Sequence, residues 1–219
     1  EFQALYPLNA SQIFVISDDF STIVGTNGNT YNFIGNEWVI GETVPFLQSF
    51  DEMSINFDGT VVMGGSPYNN NQTGLVQVFQ KINNNWVQLG EDITGSPNIL
   101  GRFGTSPNIS EDGMTFVIGM QDYAQSQGVA DNYFVAYEYD QNQWVQKGTP
   151  IGSVSRWNLA ISNNGENIYQ ISNRTTGTGD AIGIFSNYAF NTAWIAQSNG
   201  YSVSHNPAIT IFGNNFRYL

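Results

Sequence analysis

The chain has no cysteine. Disulfides, thiolate nucleophiles and cysteine-ligated zinc are excluded together. Basic residues are scarce: six Lys+Arg stand against 18 Asp+Glu, for a net charge of -12. Such a chain repels phosphate backbones and anionic lipid surfaces, which argues against nucleic acid as a partner and against membrane insertion. Histidine occurs once, at His205. A nucleophilic triad therefore has one candidate base, and a histidine-ligated metal site lacks ligands. No apolar run approaches the roughly 18 residues of a membrane span. Charged residues are only 11% of the total, so Asn, Gln, Ser, Thr and Gly must keep the surface polar. A lysine-poor, Asn-rich, acidic surface points to an extracellular setting or a cell or virion surface. The absence of an initiating methionine at Glu1 reads as a processed or excised piece.

What the chain does have is a repeat. An apolar residue, a small polar residue, a turn and a β-branched run recur as Ile16-Ser-Asp-Asp-Phe-Ser-Thr-Ile-Val-Gly25 and Ile55-Asn-Phe-Asp-Gly-Thr-Val-Val-Met-Gly64. Further copies begin at Ile109 (Ile-Ser-Glu-Asp-Gly) and Ile161 (Ile-Ser-Asn-Asn-Gly), with a worn one at Ile211. The leading isoleucines lie 39, 54, 52 and 50 residues apart. Trp38, Trp86, Trp144 and Trp194 keep step, each opening a short strand after a polar turn. Asp58-Gly59, Asp112-Gly113 and Asn164-Gly165 supply the positive φ that tight hairpins need. The flanking runs alternate as half-buried strands do, and no helical periodicity is present.

Each repeat holds four short strands, here called A to D. Four antiparallel strands recurring every 40–50 residues or so predict an all-β fold, a β-propeller of about five blades. The 219 residues form a single domain, with repeats at approximately 8–45, 46–95, 96–152, 153–200, and 201–219 together with 1–7. In this scheme the N-terminal Phe2–Pro7 stretch adds the outer strand of the fifth blade and closes the ring. A fragment of a longer propeller is the alternative. The tryptophans, recurring at one blade position, are expected to pack between neighbouring blades.

Phe103-Gly104-Thr-Ser, leading through Ile109-Ser-Glu-Asp-Gly to Phe116-Val-Ile-Gly119, resembles the FG-GAP-type propeller repeats of integrin α heads and their bacterial, algal and viral surface relatives. Gly64-Gly65-Ser66-Pro67 is a second, looser match, and Trp86 to Gly95 looks like the linking element of large surface proteins of that kind. The resemblance covers repeats two and three. It implies a propeller and a surface-binding role. The Asp-x-Asp-x-Asp-Gly calcium loop of integrin-type repeats is missing from every copy: Asp18-Asp19 and Glu111-Asp112 are adjacent pairs that offer one or two carboxylates per turn. No metal site and no cofactor is carried over.

Catalytic patterns are weak. Asp51, Glu52 and Asp122 are the acids placed near a propeller axis, and none sits in a glycosidase signature. The Gly-rich stretch Thr175–Gly179 lacks a following helix and lysine, so it reads as a B–C loop. The chain is read as a non-enzyme. Aromatics outside the repeat register carry the candidate ligand site: Tyr68 beside Asn70, Tyr123 beside Asp122, and Trp157, with Arg174 on the same face. B–C and D–A loops of a propeller emerge together, and aromatic rings among amides suit a sugar or protein surface. The expected function is recognition or adhesion, with a protein or glycan on a surface as partner. A structural unit of a larger fibre or virion, or a lectin-like module, are the alternatives. Sequons at Asn9, Asn71, Asn108 and Asn173 matter if the source is eukaryotic or a virus of eukaryotes.

Overall fold

The computed structural model describes residues 14–46, 50–95, 101–120, 132–153, 157–175, 181–204, 209–212 and 215–218. Four antiparallel meanders follow one another along the chain. Blade 1 comprises β1 (Phe14–Ile16), β2 (Thr22–Gly25), β3 (Thr30–Ile34) and β4 (Glu37–Ile40). Blade 2 comprises β5 (Glu52–Ile55), β6 (Val61–Ser66), β7 (Leu75–Ile82) and β8 (Asn85–Gln88). Its B–C loop contains one helical turn, α1 (Asn69–Gln72), and a short fifth strand, β9 (Ile93–Thr94), pairs with β7. Blade 3 comprises β10 (Thr105–Ile109), β11 (Thr115–Met120), β12 (Asn132–Asp140) and β13 (Gln143–Ser153). Blade 4 comprises β14 (Trp157–Ile161), β15 (Asn167–Thr175), β16 (Ala181–Asn191) and β17 (Ala193–Ser204). A two-stranded sheet, β18 (Ile209–Phe212) and β19 (Asn215–Tyr218), ends the described chain.

The four-strand blade read from the repeat is therefore present four times. Two details differ from expectation. α1 has no helical periodicity to announce it, being one turn in a polar loop. β17 continues to Ser204, into the stretch expected to open the fifth repeat.

Three apolar layers join successive blades. Val24 and Val44 of blade 1 and its connector meet Val62, Phe79 and Trp86 of blade 2. Val61, Met63, Val76 and Val78 meet Ile109, Phe116, Ile118 and Val135 of blade 3. Val117, Phe134 and Ala136 meet Leu159, Ile161 and Ile168 of blade 4. Each strand thus sends alternate residues to the blade before and the blade after, as period-2 geometry requires.

The repeated turn has a repeated hydrogen-bond cause. Ser17, Ser110 and Ser162 Oγ donate to Asp19, Asp112 and Asn164 Oδ1 at 2.6, 2.6 and 2.7 Å. The same hydroxyls accept the amides of Thr22, Thr115 and Asn167 five residues on. In blade 2, Asn56 does this work with its amide, donating to Asp58 Oδ1 and accepting Val61 N–H. Gly59, Gly113 and Gly165 have φ of +70°, +74° and +70°. Blade 1 places Phe20 at that position, with φ +59°.

Inner strands are stitched across the same interfaces. Ile109 N–H donates to Ser54 Oγ at 3.2 Å, and Ile161 N–H donates to Asn108 Oδ1 at 2.8 Å. Ser54 and Asn108 hold equivalent strand-A positions in their blades. The outer strands are latched by tryptophan. Trp144 Nε1–H donates to Leu89 O, and Trp194 Nε1–H donates to Lys147 O, both at 2.7 Å. Each indole lies over the glycine that follows its acceptor: a Cβ on Gly90 would sit 2.7 Å from Trp144 Cδ1, and one on Gly148 would sit 2.8 Å from Trp194 Cδ1. For Trp86, Trp144 and Trp194 the inter-blade placement expected from the repeat is what the structure has.

Candidate functional site

One end of every blade carries the B–C and D–A connections, and this loop face gathers the groups with recognition chemistry. Tyr68 follows β6 and is 58% exposed. Its ring lies 5.0 Å from Cζ of Arg102, which comes from the connector entering blade 3. The two loops are tied through the backbone: Arg102 N–H donates to Gln72 O at 2.9 Å, and Gly74 N–H donates to Asn69 O at 3.1 Å. A guanidinium under a tyrosine face is a cation–π contact that presents the ring to solvent with its orientation held.

The Phe103-Gly104 dipeptide of the FG-GAP-like motif has a structural task beside this site. Phe103 is buried in the blade 2–3 layer. Gly104, with φ +109°, lets its carbonyl approach Gly65 so closely that a side chain at residue 65 has no room. The dipeptide therefore fixes where the Arg102 loop meets blade 2.

Inward of Tyr68, toward the inner strands, lie two acids. Asp51 N–H donates to Gly65 O at 3.1 Å, and Ser66 Oγ donates to Asp51 Oδ2 at 3.3 Å. Glu52 Oε2 accepts Ser106 N–H at 2.7 Å across the blade 2–3 interface. Burial pushes the Glu52 carboxyl above its ordinary range, and the neighbouring Asp51 charge adds to this. The Ser106 hydrogen bond pulls the other way and is outweighed.

The predicted site residues fare unequally. Tyr68 is exposed where a ligand can reach it, and Asn70 lies in α1 of the same loop. Trp157 opens β14 and Arg174 is the penultimate residue of β15, which puts both at the loop-face end of blade 4. Asp122, Tyr123 and His205 lie outside the described residues. Arg102, which contacts Tyr68, was missed from sequence. Its signal was available: it is one of only six cations and precedes the Phe-Gly pair. Of the sequons, Asn108 has its side-chain carbonyl engaged by Ile161 of the next blade. Asn71 is in α1, Asn173 is in β15, and Asn9 lies outside the described residues.

On the opposite face, the turn carboxylates Asp19, Asp58 and Asp112 accept hydrogen bonds within their own turns. Among the described residues no group of three or more His, Cys, Asp or Glu is placed to hold a metal ion, and no helix is long and apolar enough to cross a membrane.

No protein-family model matches the chain, and no curated protein sequence matches it. Solved structures do. The periplasmic gluconolactonase PpgL of Pseudomonas aeruginosa is 15% identical with a TM-score of 0.53, over 94% of this chain and 56% of that one. A functionally unknown protein of Desulfotomaculum acetoxidans is 12% identical with a TM-score of 0.50, over 93% and 73% respectively. TolB of Acinetobacter baumannii is 12% identical with a TM-score of 0.49, over 91% and 47%. The chain is a β-propeller protein, on its blades and on the likeness to PpgL. It spans about half the length of PpgL and TolB.

Proposed function

We propose that this propeller is a non-enzymatic recognition module, acting outside the cytoplasm or on a cell or virion surface, that binds a protein or glycan through its loop face. The observation that carries the reading is Tyr68, solvent-exposed yet oriented by Arg102, on the same face as the ends of the strands bearing Trp157 and Arg174. A ring held in place offers contact area at little entropic cost, which is what binding surfaces select for. The FG-GAP-type resemblance supports a surface role in the same direction. Propellers also host enzymes, so the fold itself is silent on catalysis.

The same proposal includes ring closure with about five blades. β18 and β19 supply two strands of the last blade, and residues 2–7, outside the described residues, supply its outer strand. Blade 1 supports this. Phe14 and Ile16 are 48% and 38% exposed, whereas their repeat equivalents Leu159 and Ile161 in blade 4 are buried against the preceding blade. That face is built to be covered.

A structural role in a larger fibre or virion is the second reading. Val39 and Ile40, exposed on the outermost strand of blade 1, favour it, because an apolar edge strand is a template for association. Mass by light scattering across a concentration series separates the two: a monomer at all concentrations removes the assembly reading.

The recognition reading is tested on a glycan array and a panel of surface proteins, each with and without calcium. Binding that falls about tenfold or more in Tyr68→Ala, at unchanged melting temperature, supports it. Binding that ignores Tyr68→Ala removes the loop-face site.

A further inference from the structure

The three inter-blade seams are not alike. Between blades 2 and 3, and between blades 3 and 4, an inner stitch and an outer tryptophan latch are both made. Between blades 1 and 2 both are missing among the described residues. The stitching position of blade 1 is Val15, which has no side-chain acceptor. The outer strand is one residue shorter: Gly41 follows Trp38 by three positions, whereas Gly90 and Gly148 follow Trp86 and Trp144 by four. Gly41 also lacks the left-handed conformation that Gly90 and Gly148 adopt. Trp86 is consequently 6% exposed with its Nε1–H unpartnered, a buried donor without the carbonyl its repeat equivalents use.

A second substitution accompanies the first. The strand-C residue paired with the tryptophan is Phe33, Tyr139 and Phe190 in blades 1, 3 and 4, and Lys81 in blade 2. Lys81 Nζ donates to Asn32 Oδ1 at 2.8 Å and lies 5.9 Å from the Trp86 ring centre. No carboxylate comes within ion-pairing distance of it among the described residues. Lys147 shows the usual arrangement in this acidic chain, with Glu166 at 3.0 Å and Glu138 at 3.4 Å. The unlatched seam opens as a cleft of about 750 Å³, inside the size range of ligand pockets. Lys81, Asn32, Asn84, Thr22, Glu42 and Ile34 are among the residues that line it.

We propose that this cleft binds a sugar acid, a polyhydroxylated ligand with a single carboxylate, anchored on the Lys81 ammonium. The half-buried cation, held by a neutral amide, has donors for one carboxylate. Asn32, Asn84 and Thr22 offer both donors and acceptors to hydroxyls. Glu42 accepts from a sugar hydroxyl and repels a polyanion, which selects for one negative charge per ligand. The site is separate from the loop face and stands independently of the role proposed there.

Titration calorimetry and NMR with D-glucuronate, D-glucose and acetate test it on the full chain. Glucuronate is expected to bind at roughly millimolar concentration, and glucose and acetate about tenfold more weakly or worse, because each lacks half of the recognised chemistry. Lys81→Met should weaken glucuronate binding about tenfold or more, with Lys81→Arg retaining most of it. Glu42→Gln should tighten it by removing a repulsive charge, an effect of opposite sign that a folding defect does not mimic. Tyr68→Ala should leave it unchanged. Absence of glucuronate binding, equal binding of acetate, or indifference to both Lys81→Met and Glu42→Gln would overturn the assignment.

Discussion

Phe20 occupies a backbone position that the repeat otherwise gives to glycine, at φ +59° with 66% of its surface exposed. A side chain in left-handed conformation costs about 1–2 kcal/mol, and an exposed ring recovers little of that by packing. Phe20→Gly is therefore expected to raise stability by up to about 1 kcal/mol, after the added flexibility of the unfolded chain is subtracted. Urea unfolding of the two proteins measures it, and a loss of stability would show that the ring makes contacts worth more than the strain. Glu52 and Asp18 act at the same scale through pH. Burial raises both carboxyls, with Asp51 adding to Glu52, and Glu111 and Asp19 adding to Asp18. A raised carboxyl binds its proton more tightly in the folded chain, so its contribution is present below the ordinary carboxylate range and is lost as pH rises through the raised value. Asp19 runs the other way. Burial would raise it, but hydrogen bonds from Ser17 and Ser21 hold it below its usual range, so its contribution is lost as pH falls through that lowered value. Melting temperature should rise on mild acidification from about pH 7 to about pH 5. Glu52→Gln, which keeps an acceptor for the Ser106 amide, should flatten that rise, and an identical profile in the variant would dismiss Glu52 as its source.

At the scale of elements, the tryptophan latch distinguishes two seams from the third. Trp144→Phe removes a hydrogen bond and part of a ring, whereas Trp86→Phe removes only the ring and relieves a buried donor that has no acceptor. The Trp144 variant should be the less stable of the two by about 1–2 kcal/mol. Truncation to alanine should cost about 3–5 kcal/mol at either position, since both rings fill inter-blade layers. Parallel melts of the four variants check the ordering; equal losses in the two Phe variants would mean that the Leu89 carbonyl contributes nothing. The same seams show why Asn108 is a poor glycan acceptor: its side chain already joins blade 3 to blade 4.

The whole molecule raises the question of what covers blade 1. With the ring closed by the terminal strands, Ile16→Ser should destabilise by about 1–3 kcal/mol, the range for uncovering a buried aliphatic side chain. An unchanged melting temperature would leave that face open, and the second reading, assembly with other chains, would gain. Blade stacking also explains the acidic surface. The blades hold together by apolar layers and backbone bonds, so a net charge of -12 is tolerated without ion-pair compensation.

Much of this was legible in the residues alone. Spaced isoleucines, Asp-Gly turns and recurring tryptophans dictate four-stranded blades, because period-2 strands and left-handed turn glycines admit few other arrangements. The exclusion of thiol, zinc-finger and nucleic-acid chemistry needed only composition. Tertiary structure decided what depends on pairs distant in sequence. Arg102 lies 34 positions from Tyr68, and only the docking of two loops across a seam makes them a unit. Lys81 reads in sequence as one strand lysine among polar neighbours. Its lack of a carboxylate partner, and the cleft beside it, follow from a one-residue difference in the outer strand of the preceding blade, whose consequence exists only once two sheets are pressed together.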